Sequence, residues 1–313
     1  MRFYLAPLEG ITGYIYRNAV HDFFGGIDKY FLPFISPNQK GHFSSREKQD
    51  LIPEHNRGMY AVPQILTNSV EDFLRTAKKL EWYGYEEINL NLGCPSRTVV
   101  TKGRGAGFLA KPEKLNRFLE QIFTECKLKI SVKTRLGMEE AEEFEKIMDI
   151  YDQYPIEEVI IHPRVQKDFY KNKPNIEAFK KAWTRSKNKI VYNGDVFTAE
   201  DVVKLKEMFP ELACIMCGRG VLMNPALLRR ANGGKPLEKG ELRHFHDQIY
   251  KNYQSVLFGE KTVLFKMKEL WTYLGSSFTD SKKYTKRIKK AVHFTEYENA
   301  VDALFMEQEL WKC

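Results

Sequence analysis

Short apolar runs of β-type composition recur along the chain at nearly regular intervals: FYLAP (3–7), YFLPF (30–34), YAVPQI (60–65), EINLNLG (87–93), KISVKT (129–134), EVIIHP (158–163), KIVYNG (189–194) and ACIMCG (213–218). Between them lie stretches with apolar residues at three- and four-residue spacing, among them SVEDFLRTAKKLEWYG, PEKLNRFLEQIFTE, EEAEEFEKIMDIYDQ and TAEDVVKLKEMF, several opened by a helix-starting Ser, Pro or Thr. Strands that alternate with helices and are apolar on both faces imply a parallel sheet. Eight such units in about 220 residues is the arithmetic of a (β/α)8 TIM barrel, in which every strand points its C-terminal end at one functional face. An open doubly wound sheet is the competing architecture, but it usually needs fewer units.

After about Gly234 the β-type runs stop and the period becomes helical throughout, with GGKP at 233–236 as a plausible linker. The expected class is therefore α/β, with the barrel over 1–234 followed by a small all-helical domain over 235–313. The chain carries 49 Lys and Arg against 41 Asp and Glu, a formal charge of +8. Residues 261–290 hold nine of those bases and two acids (Glu269 and Asp280), so this stretch alone supplies +7. A basic, helical, partly aromatic segment suits a polyanionic partner.

Other classes are excluded. No run of 18 apolar residues exists, so no helix is expected to span a membrane. The five cysteines are an odd number scattered through the chain, and MRFYLAPLEG lacks the basic and apolar regions of a signal peptide. A cytoplasmic protein with reduced thiols is expected. Cys214 and Cys217 form a CxxC, but on a strand i and i+3 face opposite ways and do not chelate one ion. His244 and His246 stand at i, i+2 on a helix and share no face. No metal site is expected.

A barrel places its chemistry at the ends of strands. There stand Pro7, Leu8 and Glu9 after the first strand, Gln64 in the third, Asn91 and Cys94 at the fourth, and Lys133 and Arg135 at the fifth. His162 and Arg164 end the sixth, Asn193, Gly194 and Asp195 the seventh, and Gly218 and Arg219 the eighth. The NGD and GRG loops occupy the positions where barrels commonly hold phosphate on backbone amides. Lys133 puts a positive charge in the barrel mouth. Cys94 lies among Arg97, Lys102 and Arg104, surroundings that favour a reactive thiol; on these residues alone, nucleophile and general acid both remain open.

The stretch NLGCPSRTVVTKGRGAGFL (91–109) resembles the active-site signature of the dihydrouridine synthases, flavoenzymes that reduce a uracil base in RNA, most often transfer RNA. APLEGIT, KTRLG, IHPR, NGD and CGRGVLMNP are similar to the family's other blocks, in the same order. The resemblance implies FMN at the barrel mouth, reduced by NADPH. Pro7, Leu8 and Glu9 would lie beside the isoalloxazine, with Gln64, Lys133 and His162 hydrogen-bonding it. Asn193, Gly194, Asp195, Gly218 and Arg219 would hold the ribityl phosphate. Asn91, Arg135 and Arg164 would meet the substrate. Cys94 becomes a general acid, giving a proton to C5 of the base as hydride reaches C6. The helical domain would bind RNA as a monomer's tRNA-binding surface, through Lys282, Lys283, Lys286, Arg287 and Lys290. Pro163 and Val165 depart from the family's usual Gly and Thr around the histidine, and Cys217 from a small apolar residue. A dihydroorotate-dehydrogenase-like flavoenzyme and a non-catalytic RNA-binding protein are the rival readings.

Overall fold

The computed structural model describes residues 1–38 and 41–311. Nine parallel strands follow in chain order: β1 (Arg2–Leu5), β2 (Lys29–Phe31), β3 (Ala61–Val62), β4 (Gln64–Ile65), β5 (Glu87–Leu92), β6 (Lys129–Arg135), β7 (Val159–His162), β8 (Ile190–Tyr192) and β9 (Cys214–Cys217). They hydrogen-bond in the order β3-β2-β1-β9-β8-β7-β6-β5-β4. The two ends of that order are halves of one strand. Pro63 has no N–H to give a ladder and interrupts the strand between them; β3 pairs with β2 and β4 with β5. The bent strand closes the sheet, so the eight apolar runs of the sequence form one eight-stranded barrel.

The chain divides into two compact units. The first comprises residues 1–7, 28–195 and 211–216 and holds the barrel strands. The second comprises 8–27, 196–210 and the chain from 217 onward. Segments 8–27, 196–210 and 217–234 thus group with the terminal helices.

Within the first unit, strand β5 shows how the barrel is filled. Glu87, Asn89 and Asn91 alternate with Ile88, Leu90 and Leu92, and all six are buried. The polar set points inward, since Glu87 is reached from β2, a strand that does not pair with β5. Lys29 of β2 reaches Glu87 Oε2 at 2.7 Å and Glu158 Oε2, just ahead of β7, at 2.9 Å. Tyr4 donates to Glu158 Oε1 at 2.7 Å. Burial opposes the Lys29 charge, but Glu87 and Glu158 outweigh it and hold the ammonium above its ordinary pKa. The lower barrel is therefore tied by one lysine shared between two carboxylates.

In the second unit, helices Lys239–Val256, Glu260–Leu274 and Phe294–Glu307 share a buried polar chain. The Trp271 indole only donates, and its Nε1 gives its proton to the Tyr297 oxygen at 2.8 Å. The Tyr297 proton then goes to His246 Nε2 at 2.6 Å, and His246 Nδ1–H faces Asp247 Oδ1 at 2.8 Å. Burial lowers the His246 pKa, consistent with a neutral ring. His244, two residues earlier, is exposed. No helix among the described residues is long and apolar enough to cross a membrane.

Lys29→Met removes the cation that Glu87 and Glu158 share, leaving Glu87 without one and Glu158 with only the longer 3.4 Å contact to Arg2. It is expected to cost about 3–5 kcal/mol in urea unfolding. Because the folded pKa is raised, the wild-type advantage is present in full below pH 10.5 and is lost as pH rises through the folded value. An unchanged unfolding midpoint would show that the cluster does not hold the barrel base.

Candidate active site

Paired residues of parallel strands project to the same face, so the inward side of the barrel can be followed upward from β5. Asn89 pairs with Ser131 and Asn91 with Lys133, while Arg135 pairs with His162. Above the ionic base a chain of amides crosses three strands. Gln64 Nε2 donates to Asn89 Oδ1 at 2.7 Å, and Asn89 Nδ2 donates to Ser131 Oγ at 3.0 Å. Asn91 Nδ2 donates to Gln64 Oε1 at 2.7 Å. Asn91 Oδ1 accepts the backbone N–H of Gly93 at 3.1 Å and of Cys94 at 2.9 Å. The chain of side chains thus ends on the backbone of the candidate acid.

Cys94 is half-buried and forms no disulfide. Its carbonyl accepts the Ala106 N–H at 3.1 Å, which folds the following loop back over it. Gly105 makes that return possible: it sits at φ +55, and a Cβ there would lie 2.8 Å from the Cys94 oxygen. Of the loop cations expected to surround the thiol, Arg97 and Lys102 are exposed and Arg104 is half-buried. A further cation reaches Cys94 from the next strand. Lys133 and Cys94 interact electrostatically, and the thiolate would favour the ammonium. Burial, reinforced by the charge of Arg135, nevertheless lowers the Lys133 pKa to about 7. No carboxylate contributes to that balance.

Arg135 and Arg164, expected to meet a substrate, are 1% and 2% exposed and engaged within the protein. Arg135 donates Nε to Gly93 O at 3.0 Å, Nη1 to Val165 O at 2.9 Å and Nη2 to Phe169 O at 2.7 Å. Burial lowers its pKa, yet an arginine stays charged. It clamps the Cys94 loop to the loop after β7. Arg164 donates to both oxygens of Asp195, at 2.9 and 2.6 Å, and to Asn172 O at 2.5 Å. Its Nη1 also lies 3.0 Å from His162 Nε2. A guanidinium only donates, so Nε2 is the acceptor and the His162 proton sits on Nδ1. These contacts give both arginines a positioning role, with most of their N–H groups facing protein acceptors. Asp195, expected at phosphate, is held by Arg164, and Asn193 donates its Nδ2 to Met216 O at 2.8 Å.

In the second unit, Leu8 donates its N–H to Thr12 Oγ1 at 2.8 Å, and Glu9 is exposed. Gly218 and Arg219 follow β9, with the Arg219 guanidinium 5.4 Å from the Phe197 ring centre. Gly220 is required by packing, since a Cβ would fall 2.0 Å from Val196 O. Lys282, Lys283, Lys286, Arg287 and Lys290 are all exposed on helix Lys282–Lys290, which buries only Tyr284 and Ile288. The described residues hold no cluster able to bind a metal ion.

Sequence reasoning missed two residues of this region. Tyr170 is half exposed beside His162, with ring centres 5.8 Å apart, and beneath the Arg135 guanidinium. Phe169 sits at φ 50, the only non-glycine with positive φ among the described residues, and its carbonyl is held by Arg135. A strained aromatic carries no local sequence signal.

The chain matches the family description "Dihydrouridine synthase (Dus)" over residues 4–309. Among similar proteins is a tRNA-dihydrouridine synthase B of Pasteurella multocida, 27% identical over 229 residues, covering 73% of this chain and 68% of that one. A probable tRNA-dihydrouridine synthase of Staphylococcus aureus is 27% identical over 261 residues, covering 80% and 78%. A tRNA-dihydrouridine(16) synthase of Cupriavidus necator is 27% identical over 240 residues, 74% of each chain. Among solved structures, morphinone reductase superposes with a TM-score of 0.52 at 12% identity, over 76% of this chain and 88% of that one. Histamine dehydrogenase from Rhizobium sp. 4-9 gives 0.55 at 12% identity, over 86% of this chain and 49% of that one. Those two structures share the barrel fold, and the family match spans nearly every residue: the chain belongs to the dihydrouridine synthase family.

Proposed function

We propose that this protein reduces uridines in RNA, with transfer RNA as the substrate class, using FMN as the flavin and NADPH as its reductant. The observation that carries the reading is the inward face of β6. Lys133 and Arg135 bring two cations to the barrel mouth, with no carboxylate among the charges acting on Lys133. That field suits an electron-rich heterocycle that gains negative charge. The neighbouring groups fit such a ring too, since Gln64 and Lys133 offer inward N–H groups and His162 presents Nδ1–H.

A bound flavin supplies the hydride that goes to C6 of the base. What the chain contributes is position and a proton. The Asn91 side chain and the Ala106 N–H fix the backbone on both sides of the Cys94 side chain, so Sγ holds its proton at one place for C5. Arg135 fixes the carbonyl of the residue before it. Arg164 and Asp195 orient His162. Pro7, Leu8 and Glu9 are proposed beside the flavin ring, and Asn193, Gly194, Gly218 and Arg219 at its phosphate. Residues 235–313 are proposed as the RNA-binding part, through the exposed bases of helix Lys282–Lys290.

Cys94→Ala is expected to leave flavin content and NADPH oxidation near wild type while slowing uridine reduction about 100- to 10,000-fold. Single-turnover mass spectrometry of the RNA reads the difference. Reduction at the wild-type rate would make Cys94 structural.

Lys133 is expected to titrate near pH 7 in the flavin-free protein, far below the ordinary lysine value of 10.5. Its folded pKa is the lower one, so between pH 7 and 10.5 only the unfolded chain holds this proton, and the group's contribution to stability rises with pH across that window. Carbon-13 NMR of reductively methylated protein, with Lys133→Met identifying the signal, measures it. A signal that titrates with the surface lysines would remove the electrostatic argument for the flavin.

A further inference from the structure

An exposed aromatic surface in the second unit has no part in the function above. Helix Lys239–Val256 ends and the chain turns through Leu257, Phe258 and Gly259 into helix Glu260–Leu274. Phe258 is 99% exposed, and Val256, Phe265 and Val292 are each more than half exposed. Glu260 joins this turn to the segment that follows the basic helix: its Oε2 pairs with His293 Nδ1 at 2.9 Å and its Oε1 accepts the Phe294 N–H at 3.2 Å. Lys268 also donates to Ala291 O, at the end of helix Lys282–Lys290. On helix Glu260–Leu274, Lys261, Phe265 and Lys268 stand at i, i+4 and i+7 and share a face. The apolar side chains are thus bordered by the exposed Lys261 and Lys290. The nearby acids are engaged locally, Glu260 as above and Glu296 with the Val292 N–H at 2.8 Å.

We propose that Phe258 and Phe265 form a stacking platform for unpaired bases of the RNA substrate, with Lys261 and Lys290 meeting the phosphates beside them. The proposal rests on the RNA reading above. Every base has a π-face, so an exposed phenyl ring beside lysines binds single-stranded nucleotides without a sequence code. The fringe of lysines, with the neighbouring acids engaged locally, leaves a net positive border that favours a polyanion as the partner. It argues against a second copy of this chain, which would bring the same positive charge to the contact.

The test uses the full chain and an unmodified tRNA transcript, with affinity measured across a salt titration. Phe258→Ala and Phe265→Ala are each expected to weaken binding about 5- to 150-fold, the size a lost base–aromatic stack carries, with an unchanged slope of log affinity against log salt. A Lys286, Arg287 and Lys290→Ala variant should instead lower that slope by roughly 2 to 3. Phe258→Trp should keep affinity, and its added indole emission should be quenched on RNA binding. Wild-type affinity in both Phe→Ala variants, or a Phe258→Trp emission blind to RNA, overturns the platform alone. A Phe258→Ala variant with unchanged RNA affinity but a lower sedimentation mass reassigns the patch to self-association and also overturns it. A wild-type protein that does not bind the transcript overturns the RNA reading and the platform with it.

Discussion

A parallel sheet of short strands is stable only when neither edge is left open, and here both edges are removed by one strand bent at Pro63. The residue has no N–H, so the ladder on that side lapses for one position. The strand uses the gap to change partners, pairing Ala61–Val62 with β2 and Gln64–Ile65 with β5. The Pro63 carbonyl is not wasted, since it accepts the Asn89 N–H at 2.8 Å. Closure creates an interior with little room for water, and every polar side chain that points inward must then find a partner on another strand. The Lys29 cluster, the Gln64–Asn89–Asn91 chain and the Arg135 clamp are three answers to that one requirement, stacked from the base of the barrel to its mouth.

The stacking also grades the chemistry along the barrel axis. At the base, charges are paired across the interior. In the middle, neutral amides satisfy one another. At the mouth, charge is no longer balanced: two cations of β6 stand together, and the loops that cover them are held by a guanidinium bonded to three carbonyls. One of those carbonyls belongs to Phe169, whose backbone is in the left-handed region. Strain of that kind persists where surrounding contacts over-determine the loop, and Arg135 is the contact in place to do so.

The barrel was legible because each strand advertises itself locally, through a short apolar run set off from the three- and four-residue spacing of the helical stretches. The break at Pro63 was also visible as a proline inside YAVPQI, although its consequence, the exchange of partners that closes the sheet, depends on strands far away in sequence. Cys94 and Lys133 were legible as strand-end residues. The contacts of Arg135, Arg164 and Asp195 were not, because they include partners 30 or more residues distant: Val165 and Phe169 for Arg135, and Asp195 for Arg164. Three cations close in sequence to Cys94 suggested its electrostatic surroundings. A fourth, Lys133, lies on the neighbouring strand, where register rather than proximity along the chain places it.

That register has a chemical consequence under the proposal that Cys94 serves as the acid. A fully charged ammonium beside Cys94 would stabilise the thiolate, the form that has already lost the proton the reaction needs. Burial and Arg135 together bring the Lys133 pKa down to about 7, so the amine holds its charge less firmly than a surface lysine and its pull on the thiol proton is reduced. The interaction runs both ways, because charge on either group favours charge on the other. When the thiol gives up its proton, the nascent thiolate favours protonation of Lys133, and the pair can take up one proton from water at the lysine while the sulfur is negative. A lysine with an ordinary pKa in the same place would be charged throughout and could not follow the state of the sulfur. The desolvation that makes Lys133 costly to charge is therefore what lets it respond to Cys94, and that desolvation follows directly from the closure of the barrel beneath it.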